Sequence, residues 1–94
     1  MATLGEYQEW VKEAWNTSPK RITERDELLF LMEEIGEMAE AVRKINGNKN
    51  TTTDIEKEFG DILLSVITLA LRYGIDLETA FEKTKESIVR RYVR

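Results

Sequence analysis

Glu58-Phe59-Gly60-Asp61-Ile62-Leu63-Leu64-Ser65-Val66-Ile67-Thr68-Leu69-Ala70-Leu71-Arg72 is the stretch that decides the fold. At ~100° per residue, Glu58, Asp61, Ser65 and Arg72 form one narrow polar line. Apolar residues from Ile62 to Leu71 surround it. A helix that is apolar nearly all round is buried, and a polar line on a buried helix must face partners, not bulk water. The partner is read from Glu33-Glu34-Ile35-Gly36-Glu37, where the order acid, apolar residue, Gly, acid recurs. Residues three and four apart share a helical face, so Glu34 points roughly with Glu37, Glu33 with Glu37, and Glu58 with Asp61. If the two helices lie side by side at that level, four or five carboxylates meet. Their repulsion and desolvation are costly unless compensated. A hard divalent cation held by oxygens is the usual compensation; Mg²⁺ is the natural candidate and Mn²⁺ its substitute. The bland alternative is that each acid faces water or pairs with a lysine on its own helix. On the helix carrying Glu34, the expected apolar stripe is Leu28, Met32, Ile35, Ala39 and Val42, with Glu34 at its edge.

Outward from this pair, the 94-residue chain reads as one all-α domain, 1–94: a four-helix bundle with helices at about 4–16, 23–46, 53–73 and 76–92. Thr3 is the expected N-cap of the first helix, whose stripe is Leu4, Tyr7, Val11 and Ala14. Asn16-Thr17-Ser18-Pro19 ends it, because proline and its predecessor disfavour helix. Thr23 caps the second helix, and Asn46-Gly47 ends it with a left-handed turn. Thr53-Asp54-Ile55-Glu56 reads as a capping box opening the third. Gly74 stops that helix and Asp76 caps the fourth, whose stripe is Leu77, Phe81, Thr84, Ile88 and Tyr92. The third helix has more apolar surface than one small bundle covers, so self-association as a homodimer or homotetramer is expected.

There is no Cys and no His, which excludes disulfides, thiolate chemistry and imidazole bases or ligands; any metal site is built of oxygens. A formal net charge of −4 argues against non-specific binding of a nucleic acid polymer. The longest apolar run is too short to span a bilayer, and the first residues lack a secretion signal, so a cytoplasmic location is expected. Tyr7, Trp10 and Trp15 are core or interface aromatics, or one of them stacks on a nucleobase. Lys83, Arg90 and Arg94 lie along one line of the last helix, with Lys85 and Arg91 bordering its apolar stripe. They form either a solvated basic face or a hold on polyphosphate.

Glu33-Glu34-x-x-Glu37 followed by Glu58-x-x-Asp61 resembles the signature of the MazG-like nucleotide pyrophosphohydrolases, the all-α NTP pyrophosphatase group, over about residues 25–92. The resemblance implies Mg²⁺-dependent hydrolysis of nucleoside or deoxynucleoside triphosphates to the monophosphate and pyrophosphate, with nucleotide-pool cleansing as the role. Carried over from the motif, Glu34, Glu37, Glu58 and Asp61 are the metal ligands. Glu33 is an auxiliary ligand or the group that positions the attacking water, so the catalytic acids are Glu33, Glu34 and Glu37. Relatives often carry Lys…Asn…Arg in the C-terminal helix as substrate contacts. Here Ile88 stands at the Asn position, Lys83 or Lys85 serves as the Lys and Arg91 as the Arg, with Trp15 as the candidate base-stacking residue. Three alternatives remain: a phosphoribosyl-ATP-type pyrophosphohydrolase of the same fold, a non-catalytic metal- or nucleotide-binding module, and a structural oligomer whose acids pair with Lys57, Arg72 or the basic last helix.

Overall fold

A computed structural model describes residues 1–16, 23–47 and 54–92. They form four α-helices: α1 (Leu4–Asn16), α2 (Glu24–Asn46), α3 (Ile55–Arg72) and α4 (Leu77–Tyr92). No strand occurs among the described residues. The Thr3 hydroxyl accepts from the Glu6 N–H at 3.1 Å, and Glu6 Oε1 accepts from the Thr3 N–H at 3.0 Å, a reciprocal capping box. Those bonds hold the Glu6 carboxyl below its ordinary pKa. Thr23 caps α2 by accepting from the Asp26 N–H at 3.1 Å.

Two local expectations are corrected. The cap of α3 is Asp54, which accepts from the Lys57 N–H at 3.1 Å; Thr53, and with it the Thr53–Glu56 box, lies outside the described residues. Aspartate ranks above threonine as an N-cap, so the helix starts one residue later than the Thr53 reading has it. Gly47 has φ −77° and donates to the Arg43 carbonyl at 2.9 Å. That bond is an ordinary i→i−4 helical bond and needs no left-handed residue. The left-handed glycine is Gly74, φ 63°. Gly74 donates to Leu71 O at 3.2 Å and Ile75 to Ala70 O at 3.0 Å, the paired bonds of a Schellman ending. Asp76 then opens α4, accepting from the Glu78 N–H and the Thr79 hydroxyl.

The α2 and α3 helices pack antiparallel as the principal contact of the chain. The face α2 turns to α3 is Glu27, Leu31, Glu34, Met38 and Ala41, all buried or half-buried. The expected stripe Leu28, Met32, Ile35, Ala39 and Val42 is instead exposed, Met32 at 60% and Ile35 at 51%. The polar line of α3 explains the inversion. Glu58, Asp61, Ser65 and Arg72 are half-buried, and α2 turns toward them the mixed face that carries Glu27, the partner of Arg72, leaving its oily stripe outward.

The α1 helix lies against α3 and meets α4. Its inward residues are Leu4, Gln8, Val11 and Trp15, whereas Tyr7 and Ala14 of the expected stripe are exposed. Gln8, buried, grips the α3–α4 corner with both ends of its amide: it donates to Ile75 O at 3.0 Å and accepts from the Leu77 N–H at 2.9 Å. From α4, Glu78 accepts from the Gly5 N–H at 2.6 Å. Of the α4 stripe only Leu77 is half-buried; Phe81, Thr84, Ile88 and Tyr92 are exposed. Among the described residues no helix is long and apolar enough to cross a membrane.

Candidate metal centre

The antiparallel register that sets Glu27 beside Arg72 has a consequence fourteen residues on along α2 and fourteen back along α3. It brings Ala41 and Glu58 to one pocket wall. One turn inside, carboxylate oxygens of Glu34, Glu37 and Glu58 all lie within 4.8 Å of one another. Glu34 Oε2 and Glu58 Oε2 are buried without a hydrogen-bond partner. Burial, then the charges of Glu37, Asp61 and Glu58, push the Glu34 carboxyl above its ordinary pKa, against a smaller opposite pull from Lys57. Three convergent carboxylates, two with an orphaned buried oxygen and the third, Glu37, exposed, are a donor set that fits a hard divalent cation. Oxygen ligands suit Mg²⁺ or Mn²⁺.

The fourth expected ligand, Asp61, is half-buried and engaged by Lys57, whose ammonium stands 3.1 and 3.0 Å from its two oxygens. That bond and charge, with smaller help from Glu58 and Glu34, raise the Lys57 pKa. Lys57 is therefore the counter-charge of Asp61, which stands outside the three-acid group. Glu33 is exposed and stands outside the three-acid group.

At the other end of the α2–α3 pair, Arg72 Nε lies 2.6 Å from Glu27 Oε2, and Arg72 also pairs with Glu24 at 3.8 Å. The Nε–H is not aligned on the Glu27 oxygen, so charge holds the pair. Trp15 stacks over the same guanidinium, 5.0 Å from it to the ring centroid, which ties α1 into the junction. The expected base-stacking residue thus holds Arg72 and lines a cavity of ≈ 450 Å³ with Gln8, Lys12 and Leu71. Leu71 is thirteen residues beyond Glu58, about 20 Å along α3, so that cavity and the acid cluster are separate features of one chain. Lys83 lines another cavity beside Gly74 and Thr79. Lys85 pairs with Glu82 at 4.0 Å, and Arg91 stacks on Tyr92.

Two residues escape the sequence reading. Glu27 is 5% exposed and lies seven residues before Glu34, on the same face by heptad spacing; that spacing is the signal. Lys44 shares the pocket of Glu37, Ala41 and Glu58 and lies seven residues beyond Glu37, the same signal in the other direction.

Residues 22–93 match the MazG nucleotide pyrophosphohydrolase domain. An uncharacterized protein of Bacillus subtilis (strain 168), YvdC, is 28% identical over 103 aligned positions that cover 95% of each chain. No solved structure matches the chain significantly.

Proposed function

The chain belongs to the family of MazG nucleotide pyrophosphohydrolase domains, and from that premise we propose that it hydrolyses nucleoside or deoxynucleoside triphosphates to the monophosphate and pyrophosphate with Mg²⁺. The observation that carries this reading is the meeting of Glu34, Glu37 and Glu58 within 4.8 Å with no cation among the described residues paired to them in the way Lys57 is paired to Asp61. These three would hold the metal, and Asp61 would join them once released from Lys57. Bound there, Mg²⁺ supplies charge neutralisation at the phosphate oxygens and acidifies water. The chain itself supplies orientation and a proton acceptor. No imidazole exists to serve, so a carboxylate takes the proton of the attacking water. Glu33, exposed and one turn before Glu37, is the acid free to position that water while its neighbours are occupied as ligands.

The purely structural alternative accounts for the two ends of the α2–α3 pair, where Lys57 answers Asp61 and Arg72 answers Glu27. Among the described residues it offers no partner for the orphaned oxygens of Glu34 and Glu58.

Self-association belongs to the same proposal. The radius of gyration is 16.1 Å, against about 12 Å for a compact chain of this length. The exposed stripes of α2 and α4 are the surfaces a second copy would cover, as a homodimer or homotetramer. Such a copy would also bring Lys83, Lys85 or Arg91 toward an acid cluster that lies apart from them in their own chain.

The test is a panel of all ribo- and deoxyribonucleoside triphosphates, and phosphoribosyl-ATP, each with Mg²⁺ and detection of released pyrophosphate. Turnover of at least one, abolished by Glu37→Gln in a folded variant, is expected. Pyrophosphate from none of them would leave a binding module as the better reading.

A further inference from the structure

We infer that Lys44 is the chain's own polyphosphate-holding cation, placed at the mouth of the acid cluster to grip the phosphate oxygens distal to the metal. The inference rests on the proposed triphosphate chemistry and adds a residue to it. Glu37, Glu40, Ala41, Lys44 and Glu58 line an open pocket of ≈ 220 Å³, large enough to admit a phosphate group. Two walls of the pocket are acids of the candidate metal centre. Ala41 is buried, and its single methyl keeps the floor low between them.

Lys44 is exposed and makes no ion pair among the described residues. The nearby acid on its own helix, Glu40, is engaged by Arg43, whose Nη2 and Nε both donate to it. Helical side chains lean toward the N-terminus of their helix, so the Lys44 stem leans back over Ala41 toward Glu37. Lys44 stands seven residues beyond Glu37, about 10 Å along the axis, and its flexible stem closes part of that distance. This is the span of a polyphosphate whose other end sits at the carboxylates. Lys57, the other lysine of the site, is tied to Asp61, which leaves Lys44 as the cation without that commitment. An ammonium is a compact point charge suited to phosphate oxygens without a fixed fork.

The experiment uses the full chain and inorganic tripolyphosphate as probe, measured by calorimetry at saturating Mg²⁺. Wild type is compared with Lys44→Ala, Lys44→Arg and, as an exposed cation at the far end of α2, Arg25→Ala. The expected result is a loss of about tenfold in tripolyphosphate affinity for Lys44→Ala, the scale of one charge-assisted contact. Lys44→Arg should recover most of it, and Arg25→Ala should match wild type. On a turned-over nucleotide, Lys44→Ala should raise KM and leave kcat nearly unchanged. Unchanged tripolyphosphate affinity in Lys44→Ala would overturn the assignment. So would tighter Mg²⁺ binding at unaltered tripolyphosphate affinity, which would make Lys44 only a counter-charge for the acids. Failure of wild type to bind tripolyphosphate also overturns it. Binding without hydrolysis of any nucleotide would instead overturn the proposed reaction and leave Lys44 as a phosphate ligand.

Discussion

Glu34 and Glu6 are two glutamates whose environments act on them in opposite directions, and their pH behaviour follows with opposite sign. Burial and three acidic neighbours raise the Glu34 pKa in the fold, so the native state binds its proton more tightly than the unfolded chain does. Stability of the metal-free protein therefore falls as pH rises from the unfolded value through the raised folded one. The Thr3 capping bonds lower the Glu6 pKa, so its contribution is present above the unfolded value and is lost as pH falls through the lowered one. Thermal melts in a chelator across about pH 2.5 to 7 should show Glu34→Gln removing a decline with rising pH above the ordinary glutamate pKa and Glu6→Gln removing a gain below it. Mg²⁺ added near neutral pH should raise the melting temperature of wild type through mass action and do much less for Glu34→Gln. A wild-type melt indifferent to millimolar Mg²⁺ would count against the metal centre itself. The convergence of Glu34, Glu37 and Glu58 was legible in the sequence because three- and four-residue spacing fixes a shared face. The engagement of Asp61 by Lys57 was legible only as one of several i,i+4 options, since spacing does not say which acid a lysine selects. Glu27 and Lys44 were overlooked although the heptad step from Glu34 or Glu37 reaches both.

At the scale of elements, the helix ends were legible to within two residues, because capping chemistry is local. The exceptions are instructive. Asp54 takes the cap from Thr53, and both are good caps placed side by side; the choice depends on where the chain enters the helix. Asp54→Ala should therefore cost about 1 kcal/mol of stability and Thr53→Ala close to nothing, read by chemical denaturation; equal losses would restore the Thr53 cap. Long-range fastenings were not legible. Gln8 reads as a polar interruption in an apolar stripe, yet its amide satisfies a carbonyl and an N–H at the α3–α4 corner. Gln8→Leu conserves much of the volume but strands both backbone groups beneath α1, so a loss of about 2 kcal/mol is expected. A loss well under 1 kcal/mol would mean that water replaces the amide there.

For the whole molecule, two stripes on α2 compete for the same interior, and periodicity alone ranks the apolar one first. The structure reverses that order: the face turned inward carries Glu27, which pairs with Arg72 of α3, and Glu34, which meets Glu58. The oily stripe is then left outward, and two glycines lie beside such outward surface: a Cβ built on Gly36 or Gly60 meets nothing within 4 Å. Glycine inside a helix is unfavourable by about 1 kcal/mol relative to alanine, and nothing among the described residues compensates for it. Close approach of a helix from a second copy would. The two cases separate on one substitution. If the chain acts alone, Gly36→Ala removes the propensity cost and raises the melting temperature. If a second copy packs on the stripe, the added methyl group holds the helices apart, and sedimentation should show dissociation at higher protein concentration than for wild type. Ile35→Glu places a charge in the same stripe and should yield monomers outright. It should also take hydrolysis with it if the α4 cations of one copy serve the acids of another. Retention of the wild-type assembly by Ile35→Glu would remove α2 from the interface and leave the exposed stripe of α4 as the surface through which copies meet.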